Sequence, residues 1–265
     1  MYFPCRTAWA FGESTVFRDL LISKQSAKGW SSLGYKTNGL VAAYDGQFNA
    51  GDALHDGTAT TWVDVSGNGN DMDLTGHSVT WGSDCLVCSD TAGVSTSPSR
   101  LSVTDTMKYS TVEIVFVATT GTSGAGDAAA GIWNTSRDAS SGYIGNDGSG
   151  NLQYRYQPTG TSNTIAKINN LNTQNKAYFC GRVYSNGQAV YKLINPGASI
   201  ESGSFASGTA TATPSNEPGG IYILGDAHTS WWFGGTIWAI RIYNRALTAT
   251  ERVANAQIDV NRFGL

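Results

Sequence analysis

Gly235-Thr236-Ile237-Trp238-Ala239-Ile240-Arg241-Ile242-Tyr243-Asn244-Arg245-Ala246-Leu247-Thr248 is the stretch that decides the fold. Its first half alternates with a period of two. Ile237, Ala239, Arg241 and Tyr243 take one side, while Trp238, Ile240, Ile242 and Asn244 take the other, as a strand in a sheet requires. Thr248-Ala249-Thr250-Glu251 then reads as a capping box. The Thr248 hydroxyl and the Glu251 carboxylate can each satisfy a backbone N–H orphaned at a helix start. The stretch therefore predicts a strand over 235–244 and a short helix over 249–261.

Working outward, the next clear signal is Ala177-Tyr178-Phe179-Cys180-Gly181-Arg182-Val183-Tyr184, then Ser185-Asn186-Gly187-Gln188, then Ala189-Val190-Tyr191-Lys192-Leu193-Ile194. Asn186 and Gly187 between two alternating runs predict a hairpin, because a type I′ turn needs positive φ at both central residues. Thr111 to Ala118 alternates β-branched and aromatic residues and predicts a strand. Further strands are expected near 39–45, 77–81, 100–104, 129–134, 141–145, 151–157, 164–168, 199–204 and 221–225. No internal repeat and no second core is apparent in the pattern, so one domain is expected.

Composition agrees. The chain has 265 residues, enough for one large β-sandwich with a sizeable core. Its 32 Gly beside only 6 Pro describe many turns between short strands. Charged residues make up 14% and formal net charge is −3, which excludes long charged helices and gives no electrostatic case for nucleic acid. No stretch approaches the length of apolar chain needed to span a bilayer. The start, Met1-Tyr2-Phe3-Pro4-Cys5-Arg6, lacks the basic and apolar regions of a signal peptide, so synthesis and folding in the cytosol are expected. Cys85-Leu86-Val87-Cys88 is a single CxxC, with Cys5 and Cys180 distant. One pair supplies half a zinc site, so reduced structural thiols are expected, with a disulfide or a metal as the alternatives.

The closing stretch resembles the end of the laminin-G-like branch of the concanavalin A-like jelly rolls, a strand of the form G-x-I-x-x-x-R-I-Y-N-R-A-L-S/T followed by a short helix. A second resemblance lies in Gly39-Leu40-Val41-Ala42-Ala43-Tyr44-Asp45-Gly46 and Thr61-Trp62-Val63-Asp64-Val65-Ser66-Gly67-Asn68-Gly69-Asn70-Asp71. It is similar to the family's opening strand and its W-x-D-x-S-G-N-G-N-D turn, in a form common in proteins encoded by bacteriophages and prophages of gut-type bacteria. The resemblance implies an all-β, concanavalin A-like (laminin-G-like) jelly-roll sandwich of two antiparallel sheets over residues 38–265, with one short C-terminal helix. Such domains bind glycans or proteins, or build surface assemblies. Residues 1–37 have no counterpart in the family. They read either as an extra edge segment or as an arm that docks the domain onto a larger assembly. Six aromatics (Tyr2, Phe3, Trp9, Phe11, Phe17, Trp30) would then be covered by the partner.

Glucanases on this fold carry carboxylates as E-x-D-x-x-E on one strand. The Glu inventory is Glu13, Glu113, Glu201, Glu217 and Glu251, and no such spacing exists. Glu113 is expected to be an ordinary outward strand residue. His55, His77 and His228 sit in unrelated polar loops, and no G-x-S-x-G turn occurs. The expectation is therefore a chain that is not an enzyme, with glycoside hydrolysis the least favoured reading.

Two loops could bind something. Asp64, Ser66, Asn68 and Asn70 place oxygen side chains at alternate positions, like a calcium loop, but lack the terminal bidentate Glu of an EF-hand. An Asx-type turn is the favoured reading, and no cofactor is expected beyond that candidate Ca²⁺. The second loop is Gly225-Asp226-Ala227-His228-Thr229-Ser230-Trp231-Trp232-Phe233-Gly234. Trp231 or Trp232 should be left exposed to stack on a sugar or a partner, with Asp226 and His228 available to hydroxyl groups; a packing role is the competing reading.

Two functions stand. The first is a virion structural or decoration protein of a phage, assembled in the host cytoplasm. Its arm would hold it to other virion proteins while the sandwich adheres to host or mucosal glycans, alone or as a homo-oligomer. The second is a stand-alone carbohydrate-binding or adhesion module at a bacterial cell surface.

Overall fold

A computed structural model describes the side chains of residues 29–88, 111–117 and 234–265, and between them the backbone of strands. The strands are β1 (Leu40–Asp45), β2 (Thr61–Trp62), β3 (Met72–Asp73), β4 (Val79–Trp81), β5 (Leu86–Cys88), β6 (Thr111–Ala118), β7 (Ala128–Asn134), β8 (Ser140–Asn146), β9 (Leu152–Gln157), β10 (Thr164–Ile168), β11 (Ala177–Tyr184), β12 (Gly187–Leu193), β13 (Phe205–Ala206), β14 (Gly219–Ile223) and β15 (Gly235–Tyr243). Helix α1 (Ala249–Phe263) follows β15. The fold is mostly β, with antiparallel pairing throughout and α1 near the C-terminus. The larger sheet runs β13-β12-β11-β6-β15-β5-β4 with β1 also on β15; the smaller runs β10-β9-β8-β7-β14. The sheets lie against each other, β10 by β12 and β8 by β11 and β6.

The strand that decides the fold is also its hub. One edge of β15 is filled by β6, from Gly235↔Ala118 to Tyr243↔Thr111. The other is divided: β5 takes Gly235 to Ile237, and β1 takes Ala239 to Tyr243. A bulge sits between Ile237 and Ala239, so that Ile237 opposes Phe116 while Ala239 opposes Val115. Strict alternation over the whole stretch is thus corrected: the extra residue, Trp238, shifts the phase, and Ile237 joins the face of Ile240 and Ile242. Ala239, Arg241 and Tyr243 occupy the opposite face with Val115, Glu113 and Thr111.

That second face carries α1. Ala256, Val260, Phe263 and Leu265 pack against Val115 and Ala239, with Trp238 at the margin. The helix begins at a formed capping box: the Glu251 N–H donates to Thr248 Oγ1 at 3.3 Å, and the Thr248 N–H donates to Glu251 Oε2 at 2.9 Å. It ends at Gly264, whose φ of 65° is left-handed and whose N–H reaches Val260 O.

The predicted hairpin pairs Tyr184 with Gly187, so Ser185 and Asn186 are the connecting residues and Gly187 already belongs to β12. The connection sits one residue earlier than the Asn-Gly reading placed it. The Cys85-x-x-Cys88 pair lies at β5, an element the sequence did not announce, with both thiols buried and free. Burial raises both thiol pKa values, so they are held protonated. The strands expected at 100–104 and 199–204 lie outside the described residues.

Candidate functional site

The Asp64–Asp71 turn is built around one carboxylate. Asp64 Oδ1 accepts the N–H of Ala43 at 2.9 Å and of Ser66 at 3.0 Å, and Oδ2 accepts the N–H of Asn70 at 3.0 Å. The amide nitrogen of Asn68 donates to Leu40 O and Val41 O, and that of Asn70 donates to Val41 O at 2.8 Å. The Val65 N–H donates to Ala43 O, and the Tyr44 hydroxyl to Asn70 O. Gly67 and Gly69 take φ of 85° and 76°, conformations that suit glycine. The bonds to Leu40, Val41 and Ala43 serve the edge of β1 that faces away from β15, and those of Ser66 and Asn70 to Asp64 hold the turn itself in shape. The turn caps that edge and occupies polar groups that would otherwise invite strand addition. As a cation cage the set does not fit. Both Asp64 oxygens hold backbone N–H groups, and the Asn68 and Asn70 amides present N–H rather than oxygen to β1.

The second constellation went unseen in the sequence. Glu113, expected to point outward, is fully buried, as are Arg241 and Asp259. The expectation fails because both faces of the larger sheet are covered, one by the smaller sheet and one by α1. Arg241 Nε donates to Glu113 Oε2 at 2.8 Å, and its two terminal nitrogens donate to the two oxygens of Asp259. The guanidinium also stacks on the Tyr35 ring, 4.2 Å from its centroid. The Tyr35 hydroxyl donates to Asp259 Oδ1 at 2.6 Å. Asn255 Nδ2 donates to Glu113 Oε2 and to the Tyr243 hydroxyl, which in turn donates to Lys36 O. Arg262 closes the group with paired bonds to Asp45, at 2.6 and 3.0 Å.

Burial would lower the Arg241 pKa, but Asp259 and Glu113 outweigh it and hold the guanidinium charged. Burial pushes Tyr35 well above its ordinary range, with Asp259 adding to the rise. Burial likewise raises Asp45, against the pull of Arg262. This seam is closed to solvent, so Glu113 and Asp259 cannot meet a substrate as placed. Its work is to fix α1 and the chain ahead of β1 on the sheet. The one signal available was Arg241 itself, a charge sharing a strand face with Ala239 and needing a buried partner.

Residues 29–37 belong to this packing. Trp30 and Tyr35 are buried and stacked, 5.5 Å between centroids, over Ala43 and Phe48. The boundary expected at 37/38 runs through these contacts, and residues 1–28 lie outside the described residues. Asp226, His228, Trp231 and Trp232 lie outside them too. β14 is in the smaller sheet and β15 in the larger. Gly234 and Gly235, just ahead of and at the start of β15, are buried. Among the described residues no group of three or more His, Cys, Asp or Glu is arranged to hold a metal, and no helix is long and apolar enough to cross a membrane.

No protein-family model and no curated protein sequence matches the chain. Among solved structures, Trypanosoma rangeli sialidase matches with a TM-score of 0.58 at 14% identity, over 95% of this chain and 39% of that one. The same sialidase bound to 2,3-difluoro-KDN matches with a TM-score of 0.56 at 15% identity, over 85% of this chain and 33% of that one. The CBM40 of Ruminococcus gnavus IT-sialidase matches with a TM-score of 0.46 at 13% identity, over 65% of this chain and 96% of that module. The chain therefore spans less than two fifths of the length of the sialidases. At such identities the likeness to the sialidases shows the fold, and the module at 0.46 adds nothing to it. One expectation is corrected. Sialidases are enzymes, so this fold does not argue against catalysis. The missing E-x-D-x-x-E spacing excludes one glucanase arrangement and no more.

Proposed function

We propose that this chain is a concanavalin A-like, laminin-G-like sandwich that binds glycans, held on a phage particle by the residues ahead of Gly29. The observation that carries the glycan reading is Trp231-Trp232-Phe233 directly before Gly234 and Gly235, which are buried at the start of β15. On extended backbone neighbouring side chains point to opposite sides, so an extended Trp231-Trp232 would send at most one indole toward the core and leave the other for a ligand. An indole face suits the apolar C–H face of a sugar ring, and Asp226 and His228 supply hydrogen-bond partners for its hydroxyls. The virion reading draws on the resemblance of Gly39–Gly46 and Thr61–Asp71 to phage-encoded openings; a module at a bacterial surface is its alternative.

A glycan array tests the proposal. Wild-type signal that falls for Trp231→Ala or for Trp232→Ala is the expected result. Signal unchanged in both variants removes this loop from the reading, and a silent wild type overturns glycan binding. A hydrolytic reading takes its support from the sialidase likeness, and release of sugar from a sialoside by the same protein separates it from binding alone.

A further inference from the structure

We infer that the strap of residues 29–38 and helix α1 form one clasp that opens and reseats as a single piece on the β1–β15 face. Asn255, Ile258, Asp259 and Arg262 recur at spacings of three and four and so share a stripe of α1, beside the stripe that meets the sheet. All four bind the strap. Asn255 Oδ1 accepts the Lys36 N–H at 3.0 Å, and Ile258 packs with the cluster of Trp30 and Tyr35. Asp259 accepts the Tyr35 hydroxyl, and Arg262 Nη1 donates to Tyr35 Oη at 2.9 Å. The strap is also tied to β15, through the Tyr243 hydroxyl on Lys36 O, and to the connection after it, through Arg245 Nε on Asn38 O.

Consider either element leaving alone. If the strap lifts, Asp259 and Asn255 lose partners while still buried beneath the helix, and Arg241 loses the ring that covers it. If α1 lifts, Arg241 and Glu113 lose Asp259 and Asn255 while Tyr35 still sits over Arg241. In both cases buried polar or charged groups are left unmatched, the most unfavourable kind of partial opening. Joint opening lets water reach all of them at once. The lowest-lying opening of this face therefore moves both segments together.

Hydrogen exchange followed by mass spectrometry on the full chain reads this directly. Tyr35→Phe removes the hydroxyl and keeps the ring; Tyr35→Ala removes both. The expected result is that peptides covering 29–38 and 252–263 accelerate together, by about tenfold or more, while those covering β6 and β12 stay as in wild type. Should Tyr35→Ala fail to fold, Tyr35→Phe is read in its place. Acceleration of the strap alone, an equal rise across the whole protein, or no change in Tyr35→Phe each overturns the clasp.

Discussion

Arg241 joins three separate elements through one side chain. It presents its fork to Glu113 on β6 and to Asp259 on α1, and its flat face to Tyr35 on the strap. Only a planar guanidinium meets those three demands together; a lysine would reach one carboxylate and stack on nothing. The desolvation of three charges is offset by their mutual pairing, so the cluster is a weak source of stability but a strong source of instability when broken. Arg241→Met is expected to remove from buried Glu113 and Asp259 the cation that bridges them, at a cost of roughly 3–5 kcal/mol. At this chain length that corresponds to a fall in melting temperature of roughly 6–20 °C by calorimetry. Adding Glu113→Gln and Asp259→Asn should return part of the loss, because the unmatched charges go with them. A single variant that melts like wild type would show the seam to be solvated.

At the scale of elements, two joints are made by side chains that serve the backbone. The Asp64–Asp71 turn covers the free edge of β1, and the Thr248–Glu251 box starts α1. The box is coupled to Arg245, whose two terminal nitrogens bind the two Glu251 oxygens at 2.9 and 2.6 Å. The Arg245 bonds, followed by those from Thr248, hold the Glu251 carboxyl down from 4.5 to about 2. A carboxyl depressed on folding stabilises the fold above its unfolded pKa and loses that contribution as pH falls toward its folded one. Wild type should therefore melt above Glu251→Gln at neutral pH, and the gap should close between about pH 4.5 and about pH 2. Asp45 works in the opposite sense. Its carboxyl is raised by burial, so its contribution is greatest at low pH and fades as pH rises through its folded pKa. The difference between wild type and Glu251→Gln cancels that term, which is why it is the quantity to measure. A gap that stays constant with pH would mean that Glu251 acts through its shape and not its charge.

At the scale of the whole molecule, much of the skeleton was legible and little of its fastening was. The hub strand, its helix and the hairpin at Tyr184 and Gly187 announce themselves through local periodicity, although the hairpin connection falls one residue early and the strand slips phase at Trp238. Glu113 was misread because a strand residue's environment depends on what covers each face, and α1 is supplied from far along the chain. Tyr35 and Asp259 are separated by 224 positions, beyond the reach of any local pattern. The bulge at Trp238 leaves no mark in an otherwise regular alternation. The Asp64 turn was legible as a turn, but not as a cap on β1. The same blindness set the expected domain boundary at 38, between the opening motif and a segment without family counterpart. Upstream of that boundary Trp30 and Tyr35 are buried, and Tyr35 is tied to both β15 and α1. A chain begun at Asn38 loses both aromatics, each worth roughly 3–5 kcal/mol when fully buried. That is comparable with the whole stability of an ordinary domain, about 5–15 kcal/mol. The chain begun at Gly29 keeps them. Chemical denaturation of the two should give a cooperative transition at clearly lower denaturant, or none, for the chain begun at Asn38. Equal midpoints would show that the sheet and helix hold without the strap, and residues 29–37 would return to the status of an arm.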